Sequence, residues 1–167
     1  MTISLSDIPA AVADYIKSSV TVEVSEVKHG ISTVLQPHEK GTFNVTVTNN
    51  GNVHLTDLVY ELSVSPSSVA QFISPEGIVI FALDDINGDP IPNGKEVDKM
   101  FIQGIAAANF VSVDGGASVT TPDLQVKTQG SLGDATIKCT LHATVDQASL
   151  FPAEQEGSTA KRKLTVS

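Results

Sequence analysis

The chain has 167 residues, of which 41% are hydrophobic and 17% charged, and this composition supplies enough apolar surface for one packed core. Its 19 acidic and 10 basic side chains leave a formal net charge of −9. Nucleic acid is therefore not an expected partner, because phosphate binding needs a basic face. No stretch reaches the roughly 18 apolar residues of a membrane span. The length predicts a single domain over residues 1–167.

The N-terminal segment, residues 1–19, is the part of the sequence with helical periodicity. Ser6 or Asp7 can cap the predicted helix, and Pro9 is tolerated in its first turn. We expect its apolar stripe to lie across the rest of the domain or to dock on a neighbour; the stripe comprises Ile8, Val12, Tyr15 and Ile16. The segment lacks the features of a secretion signal, so we expect a cytoplasmic protein, one exported by a signal-less route, or an extracellular piece of a longer protein.

From residue 20 onward the hydrophobic period changes from 3.6 to two, which predicts β-strands separated by Gly, Pro and Asn-Gly turns. About nine or ten short strands favour an all-β, antiparallel β-sandwich over residues 20–167, with a long excursion at 84–133. The predicted strands lie at 20–27, 42–48, 58–64, 78–83, 97–103, 110–113, 118–127, 134–145 and 160–166.

Residues 41–64 read G-T-F-N-V-T-V-T-N-N-G-N-V-H-L-T-D-L-V-Y-E-L-S-V. This stretch resembles the signature of CARDB-type (cell-adhesion-related, bacterial) immunoglobulin-like modules, and the last two predicted strands resemble the final pair of an immunoglobulin-like domain. The resemblance implies an immunoglobulin-like sandwich that acts without catalysis in adhesion, spacing or docking. Within the stretch we expect Asn50 and Gly51 to supply the positive φ angles of a turn. The core is expected to receive Phe43, Val45 and Val47.

The segment D-I-N-G-D-P-I-P-N-G-K-E is rich in oxygen ligands. Positions 1, 3, 5, 9 and 12 of an EF-hand calcium loop are matched by Asp85, Asn87, Asp89, Asn93 and Glu96. Pro90 stands where that loop needs glycine, and turn signals between two strands give the same letters without a metal. A hairpin and a calcium site are therefore both open interpretations, and no other cofactor is expected.

The single cysteine excludes an intramolecular disulfide and any multi-cysteine metal site. Strand alternation places Cys139 on an apolar face, which predicts a buried and unreactive thiol. His142 falls on the opposite, polar face and is predicted to face solvent. The four histidines lie on four different segments without metal-binding spacing: His29, His38, His54 and His142.

The longest apolar window is M-F-I-Q-G-I-A-A-A-N-F-V-S-V, residues 100–113. One interpretation is two core strands joined by a turn, and the other is an exposed tip that contacts a partner. In the second, the candidate interface residues are Phe101, Ile105 and Phe110, together with Val12 and Ile16 of the helix.

The sequence shows no nucleophile elbow, phosphate loop or dinucleotide fingerprint, so we do not expect an enzyme. It predicts a non-catalytic immunoglobulin-like module for interaction or assembly, whose partner is another protein or a further copy in a homo-oligomer. The first alternative is a calcium-dependent ligand-binding domain centred on residues 85–96. The second is an enzyme of unknown type, which would need a cleft with convergent titratable groups.

Overall fold

The computed structural model describes residues 18–86, 88–145 and 155–166. Ser18 and Ser19 have helical backbone, and the first strand follows directly at Val20. The rest of the predicted N-terminal helix, residues 1–17, lies outside the described residues. Within the described ranges, no helix has the length and apolar character needed to cross a membrane.

The described residues form a series of mostly short β-strands. They are β1 (Val20–Val24), β2 (Val34–Leu35), β3 (Lys40–Phe43), β4 (Val45–Asn49), β5 (Leu55–Ser65), β6 (Ala70–Ile73), β7 (Ile80–Leu83), β8 (Glu96–Val97), β9 (Lys99–Gly104), β10 (Ser112–Val113), β11 (Ser118–Thr120), β12 (Leu124–Thr128), β13 (Gly133–Val145) and β14 (Gln155–Val166).

The first layer of the sandwich is a sheet in the order β2-β14-β13-β5-β9-β7. Its neighbours are antiparallel, except that β2 runs parallel to β14. β9 pairs with β5 from Val59 to Ser63, whereas β10 pairs with Leu55 and Thr56 at the start of β5. A gap in the pairing therefore lies along β5 between its two partners.

The second layer contains two sheets, in the orders β1-β4-β11 and β3-β12-β6-β8. Asn44 separates β3 from β4, and Thr121 follows the end of β11. The Asn44 side chain donates to the Thr121 carbonyl oxygen at 3.1 Å, and the Val45 N–H donates to the Thr121 hydroxyl oxygen at 3.0 Å. These side-chain bonds take the place of ladder bonds and join the two sheets along one layer.

The hydrophobic core lies between the layers and follows from the period-two alternation of the strands. Tyr60, Phe43 and Phe72 are its largest fully buried side chains, and the rings of Phe43 and Phe72 lie 5.9 Å apart. Val45 and Val47 also point into this core, as the sequence predicts. Alternate residues of the same strands form the outward faces of the two layers.

The all-β prediction is confirmed, and two elements were not foreseen: β2 and β6 are strands without a predicted counterpart. The predicted turn at Asn50 and Gly51 is wrong in its geometry, because neither residue has a positive φ angle. The physical reason is that β4 and β5 belong to different layers. Their connection crosses between sheets, and the primed turns of a tight hairpin are not needed there.

The predicted burial of Cys139 is confirmed, since this free cysteine is fully enclosed in the core. Burial, together with the nearby Glu61 carboxylate, raises the pKa of the Cys139 thiol far above its ordinary value. We expect a thiol-specific reagent at pH 8 to leave Cys139 unmodified in the native protein and to modify it fully in guanidinium chloride. Rapid stoichiometric labelling without denaturant would contradict this burial.

Candidate functional site

Three large exposed aliphatic side chains lie on two chain segments that are hydrogen-bonded to each other at the β7 edge of the first layer. Ile78 is 73% exposed, Val79 is 45% exposed and Ile105 is 38% exposed. The Ile105 N–H donates to the Val79 carbonyl oxygen at 2.8 Å, which joins the segment before β7 to the turn after β9. We call these three residues the apolar ridge; such neighbouring exposed aliphatics are typical of interaction surfaces.

Two glycines position the ridge. Gly77 has a φ of 81°, a left-handed conformation that lets the chain turn sharply just before Ile78. At Gly104 a Cβ atom would lie 2.5 Å from a Val111 methyl carbon and 2.6 Å from the Phe110 ring. A larger residue at position 104 would therefore push the turn that carries Ile105 away from the sandwich.

Below the ridge, the turn between β9 and β10 is anchored to the core. The Tyr60 hydroxyl donates to the Phe110 carbonyl oxygen at 3.1 Å, and the two rings lie 6.4 Å apart. The Ala108 N–H donates to the Ile105 carbonyl oxygen at 2.7 Å and closes the turn. The backbone that carries Ile105 is therefore held in one conformation from beneath.

Two depressions of the surface adjoin the ridge segments. The first, of about 510 Å³, is lined by Ile78 and Val79, and its charged and amide lining side chains include Lys40, Glu76, Asn93 and Asp123. The second, of about 420 Å³, is lined by Gly104 and Ala106, the chain neighbours of Ile105, and by Thr56, Asp57, Gln103 and Ser112. The exposed aliphatic residues thus adjoin hollows with polar linings, a combination found at the centre and rim of protein interfaces.

Asp57 contributes its carboxylate to the second depression because of a bulge in β5. The pairing of β5 with β13 shifts between Val59 and Thr56, and Asp57 is the exposed extra residue with a φ of 54°. Aspartate tolerates this left-handed conformation better than most residues. The bulge coincides with the gap between β9 and β10, and it turns an acidic side chain outward.

The structure separates the predicted interface residues. Ile105 lies on the apolar ridge, whereas Phe110 is buried beneath it and is part of the core. Phe101 is also buried, on the outward side of β9. Val12 and Ile16 lie outside the described residues. Sequence alternation did not reveal Ile78 and Val79 as ridge residues, because residues 78–83 read as one continuous strand.

A second apolar cluster lies on the outward face of the first layer. Val59, Leu83 and Phe101 form it, and Phe81 and Ile86 pack against it. We call these five residues the outer cluster. All five lie on β5, β7 and β9 or just beyond β7, on the side away from the core.

His142 borders the outer cluster, and its predicted solvent exposure is wrong. It does lie on the outward face of β13, but its side chain is only 9% exposed. Its Nε2 lies 2.9 Å from the Glu61 Oε1, and its ring lies 6.3 Å from the Phe101 ring. The alternation predicted the face correctly; it could not show that this end of the face is covered.

The structure spreads the proposed calcium ligands from the turn after β7 to β8. Asp85 and Asp89 lie in that turn, where the Asp89 N–H donates to the carboxylate of the neighbouring Asp84 at 2.9 Å. Glu96 lies on β8, and its carboxylate accepts a hydrogen bond from Gln129 at 2.8 Å. Asn93 lines the first depression, and Asn87 lies outside the described residues. Within the described ranges, no group of three or more His, Cys, Asp or Glu side chains is placed to hold a metal ion.

A thermal melt can test whether residues 85–96 bind calcium or form only a hairpin. We expect millimolar calcium to leave the melting temperature unchanged, because Glu96 is engaged with Gln129 and pairs with Lys127 at 3.8 Å. A rise in melting temperature that the Asp85→Ala variant abolishes would instead establish the site, since a ligand that binds only the native state stabilises it.

Residues 161–163 read K-R-K, the densest group of basic side chains in the sequence, and two of them contact other parts of the sandwich. The Arg162 guanidinium donates to the Val24 carbonyl oxygen at 3.0 Å, and the Lys163 ammonium lies 3.0 Å from the Asp134 carboxylate. Hydrogen bonds from Lys163 and Thr165 lower the pKa of Asp134. Two of these three basic side chains therefore make contacts within the chain.

Neither a family model nor a curated protein sequence matches the chain. Solved structures do match it in fold. A mutant of Salmonella alpha-2-macroglobulin has a TM-score of 0.52 at 13% identity, over 89% of this chain and 7% of that one. A chain of a type I cohesin–dockerin complex from Clostridium thermocellum has a TM-score of 0.52 at 8% identity, over 90% of this chain and 100% of its own.

The NMR structure of a CARDB domain from Pyrococcus furiosus matches at a TM-score of 0.44 and 13% identity, over 89% of this chain and 94% of its own. The fold of this protein is an immunoglobulin-like β-sandwich, and the predicted fold class is confirmed. The likeness to CARDB modules is one of fold alone. The chain spans only a small part of the macroglobulin that it matches.

Proposed function

We propose that this chain is a non-catalytic binding module that holds a protein partner on the apolar ridge. The observation that carries the proposal is the exposure of three aliphatic side chains, Ile78, Val79 and Ile105, on two segments that a backbone hydrogen bond joins beside two surface depressions. Burying exposed aliphatic surface is favourable by about 25 cal/mol per Å² before the costs of association are subtracted.

The charges around the ridge specify the chemistry of the partner. Glu76 and Asp123 line the first depression and Asp57 lines the second, against one basic residue, Lys40. A partner segment with an aliphatic anchor between lysines or arginines would place opposite charges against this acidic rim. A second copy of the chain fits poorly, because a two-fold interface would set the two acidic rims against each other.

The solved structures with this fold support the proposal at the level of the fold. One of them is a cohesin–dockerin complex, in which an immunoglobulin-like module takes part in a protein–protein contact. The identity between the two chains is 8%, so this complex supports a role in protein binding for such a fold. It does not indicate which partner the present chain binds.

The test is an NMR titration of the full chain with a synthetic peptide in which leucines stand between lysines. We expect chemical-shift changes at the amides of residues 77–80 and 104–107, and weaker binding as salt is added. A matched peptide with glutamates in place of the lysines should bind at least about tenfold more weakly. Equal binding of both peptides, or shift changes confined to another surface, would overturn the proposal.

Substitutions on the ridge give the second arm of this test. The double variant Ile78→Ser with Ile105→Ser, which adds no charge, should lose at least about tenfold in affinity for the lysine peptide, as expected when interface anchors are removed. Its melting temperature should stay close to that of the parent, since both side chains are exposed. Leu132→Ser, at an exposed aliphatic residue outside both depressions, is the control and should bind normally.

The oligomeric state separates this proposal from self-assembly. We expect light scattering to give the mass of a monomer at all concentrations, because the chain carries a formal net charge of −9 and the ridge has an acidic rim. A dimer that forms with rising concentration and disappears in Ile105→Asp would show that the ridge binds a second copy instead.

A further inference from the structure

A basic region lies on the outward face of the first layer, although the chain has a formal net charge of −9. Their strand neighbours Met100, Cys139 and Leu164 belong to the core, so the basic side chains of this region point away from it. We call the region the basic face; it consists of four exposed lysines, Lys99, Lys138, Lys161 and Lys163.

Strand pairing aligns these lysines. Lys161 of β14 is directly opposite Lys138 of β13. Ser63 of β5 follows in the same row, and Lys99 of β9 is next. Adjacent strands are about 4.8 Å apart, so the row extends about 14 Å across the sheet. Lys163 lies two residues beyond Lys161, about 6.7 Å further along β14.

Two of the four lysines, Lys138 and Lys161, form no ion pair within the described ranges. The other two pair with acidic neighbours: Lys163 with Asp134 at 3.0 Å, and Lys99 with Glu61 at 3.8 Å. Like charges that are directly opposite on paired strands destabilise a sheet. The fold therefore keeps an unfavourable pair of ammonium groups, and an anion bound between them would relieve their repulsion.

We propose that the basic face binds an acidic segment of a partner protein, in extended conformation and with acidic side chains at alternate positions. Alternate side chains of an extended chain lie about 6.7 Å apart on one side, which is the spacing of Lys161 and Lys163. One carboxylate lies between Lys138 and Lys161, and the next lies beside Lys163 and the exposed Thr136 hydroxyl opposite it. This surface differs from the apolar ridge, and the proposal does not depend on the function proposed above.

The same face is less suited to a nucleic acid. Arg162, between Lys161 and Lys163 in the sequence, donates to the Val24 carbonyl oxygen of the second layer and does not belong to the basic face. The face therefore lacks the guanidinium that contacts phosphates and guanine through two bonds. Phe101, two residues after Lys99, is 4% exposed and offers no open ring on which a base could stack. These observations favour an acidic peptide as the occupant.

Fluorescence anisotropy of two labelled peptides with the full chain tests the proposal. In the first peptide glutamate and threonine alternate, and in the second the same residues are arranged as one block of glutamates and one of threonines. We expect the alternating peptide to bind at least about threefold more tightly, and added salt to weaken its binding. Equal binding of the two peptides would overturn the proposed spacing. Tighter binding of a sulfated polysaccharide or of duplex DNA would overturn a peptide as the occupant.

A neutral double variant tests the location of the site. Lys138→Gln with Lys161→Gln should lose at least about fivefold in affinity for the alternating peptide. The matched control, Lys28→Gln with Lys95→Gln, removes the same charge at two exposed lysines outside the basic face and should bind within about twofold of the parent. Equal losses in both double variants would show that net charge alone attracts the peptide, and would overturn the proposal.

Lys161→Glu separates binding from folding. It replaces two opposed lysines by an oppositely charged pair, so we expect the melting temperature to rise by about 1 to 4 °C while binding of the alternating peptide is lost. A lower melting temperature would contradict the unfavourable pairing from which the proposal is argued. In the parent chain, NMR should show that this peptide shifts the amides of residues 136–138 and 161–163. Shifts confined to the ridge amides, residues 77–80 and 104–107, would overturn the proposal.

Discussion

Replacing Tyr60 with alanine is expected to lower the free energy of unfolding by about 3–5 kcal/mol, the range for truncation of a buried aromatic side chain. Tyr60 is fully buried, and its ring packs against the Phe110 ring. Its loss removes apolar contacts, opens a cavity and leaves the Phe110 carbonyl oxygen without the hydroxyl donor. Urea unfolding followed by circular dichroism measures the change. A loss below about 1 kcal/mol would contradict this packing.

The conservative variant Tyr60→Phe separates the hydroxyl from the ring. It removes the bond to Phe110 and should cost about 1 kcal/mol, as is typical of one hydrogen bond. Because this bond anchors the turn that carries Ile105, we also expect weaker binding of the lysine peptide to the ridge. Unchanged peptide binding would show that the turn is held by its packing alone.

The same hydroxyl predicts a response to alkali. Burial, and to a lesser degree the neighbouring Cys139, raises the pKa of Tyr60 far above 10.0. The phenol stays protonated in the native state while the unfolded chain ionises, so stability is full below pH 10 and falls as the pH rises further. Tyr60→Phe should be less sensitive to alkali than the parent, and equal sensitivity would contradict this assignment.

Strand alternation predicted the core well because burial in a sheet follows a period of two. Cys139 and His142 were correctly assigned to opposite faces of β13 on that basis. The same rule led to the wrong prediction that His142 is exposed to solvent. Alternation shows on which face of the sheet a residue lies and not which side chains pack around it. The burial of that histidine depends on groups distant in sequence, such as Glu61 and Phe101.

The apolar ridge shows a different limit of sequence reasoning. Ile105 was a candidate contact residue in one of two open interpretations, and the segment with Val79 and Ile78 lies 26 residues earlier in the chain. The hydrogen bond between Ile105 and Val79 exists only because β7 and β9 pair. Pairing between strands that are not hairpin neighbours is set by the global topology, which local patterns do not encode.

Asn49 is the polar residue whose role the sequence concealed. It directly follows the predicted strand 42–48 and reads as a turn residue, yet it is fully buried at the end of β4. Its side-chain amide donates to the Val53 carbonyl oxygen at 2.6 Å, and its side-chain oxygen accepts from the Gly51 N–H at 3.1 Å. The crossing from β4 to β5 therefore depends on an amide that is both donor and acceptor.

Asn49→Asp is the near-isosteric change that tests this dependence. A carboxylate cannot donate to the Val53 carbonyl oxygen, and at this fully buried position the charge would lose its hydration. We expect a loss of about 3–5 kcal/mol in the free energy of unfolding at neutral pH. Burial raises the pKa of the introduced carboxyl in the native state, so the loss is full above that pKa and shrinks as the pH falls toward 4.

The neighbouring amide provides the control for this last prediction. Asn50→Asp makes the same chemical change one residue later, where the side chain is exposed and donates to the Thr21 hydroxyl at 3.1 Å. It should cost less than about 0.5 kcal/mol and show little dependence on pH between 4 and 7. Parallel unfolding curves at pH 4 and pH 7 distinguish the two sites. Equal losses in both variants would mean that added negative charge, and not the buried hydrogen bonds of Asn49, destabilises this acidic chain.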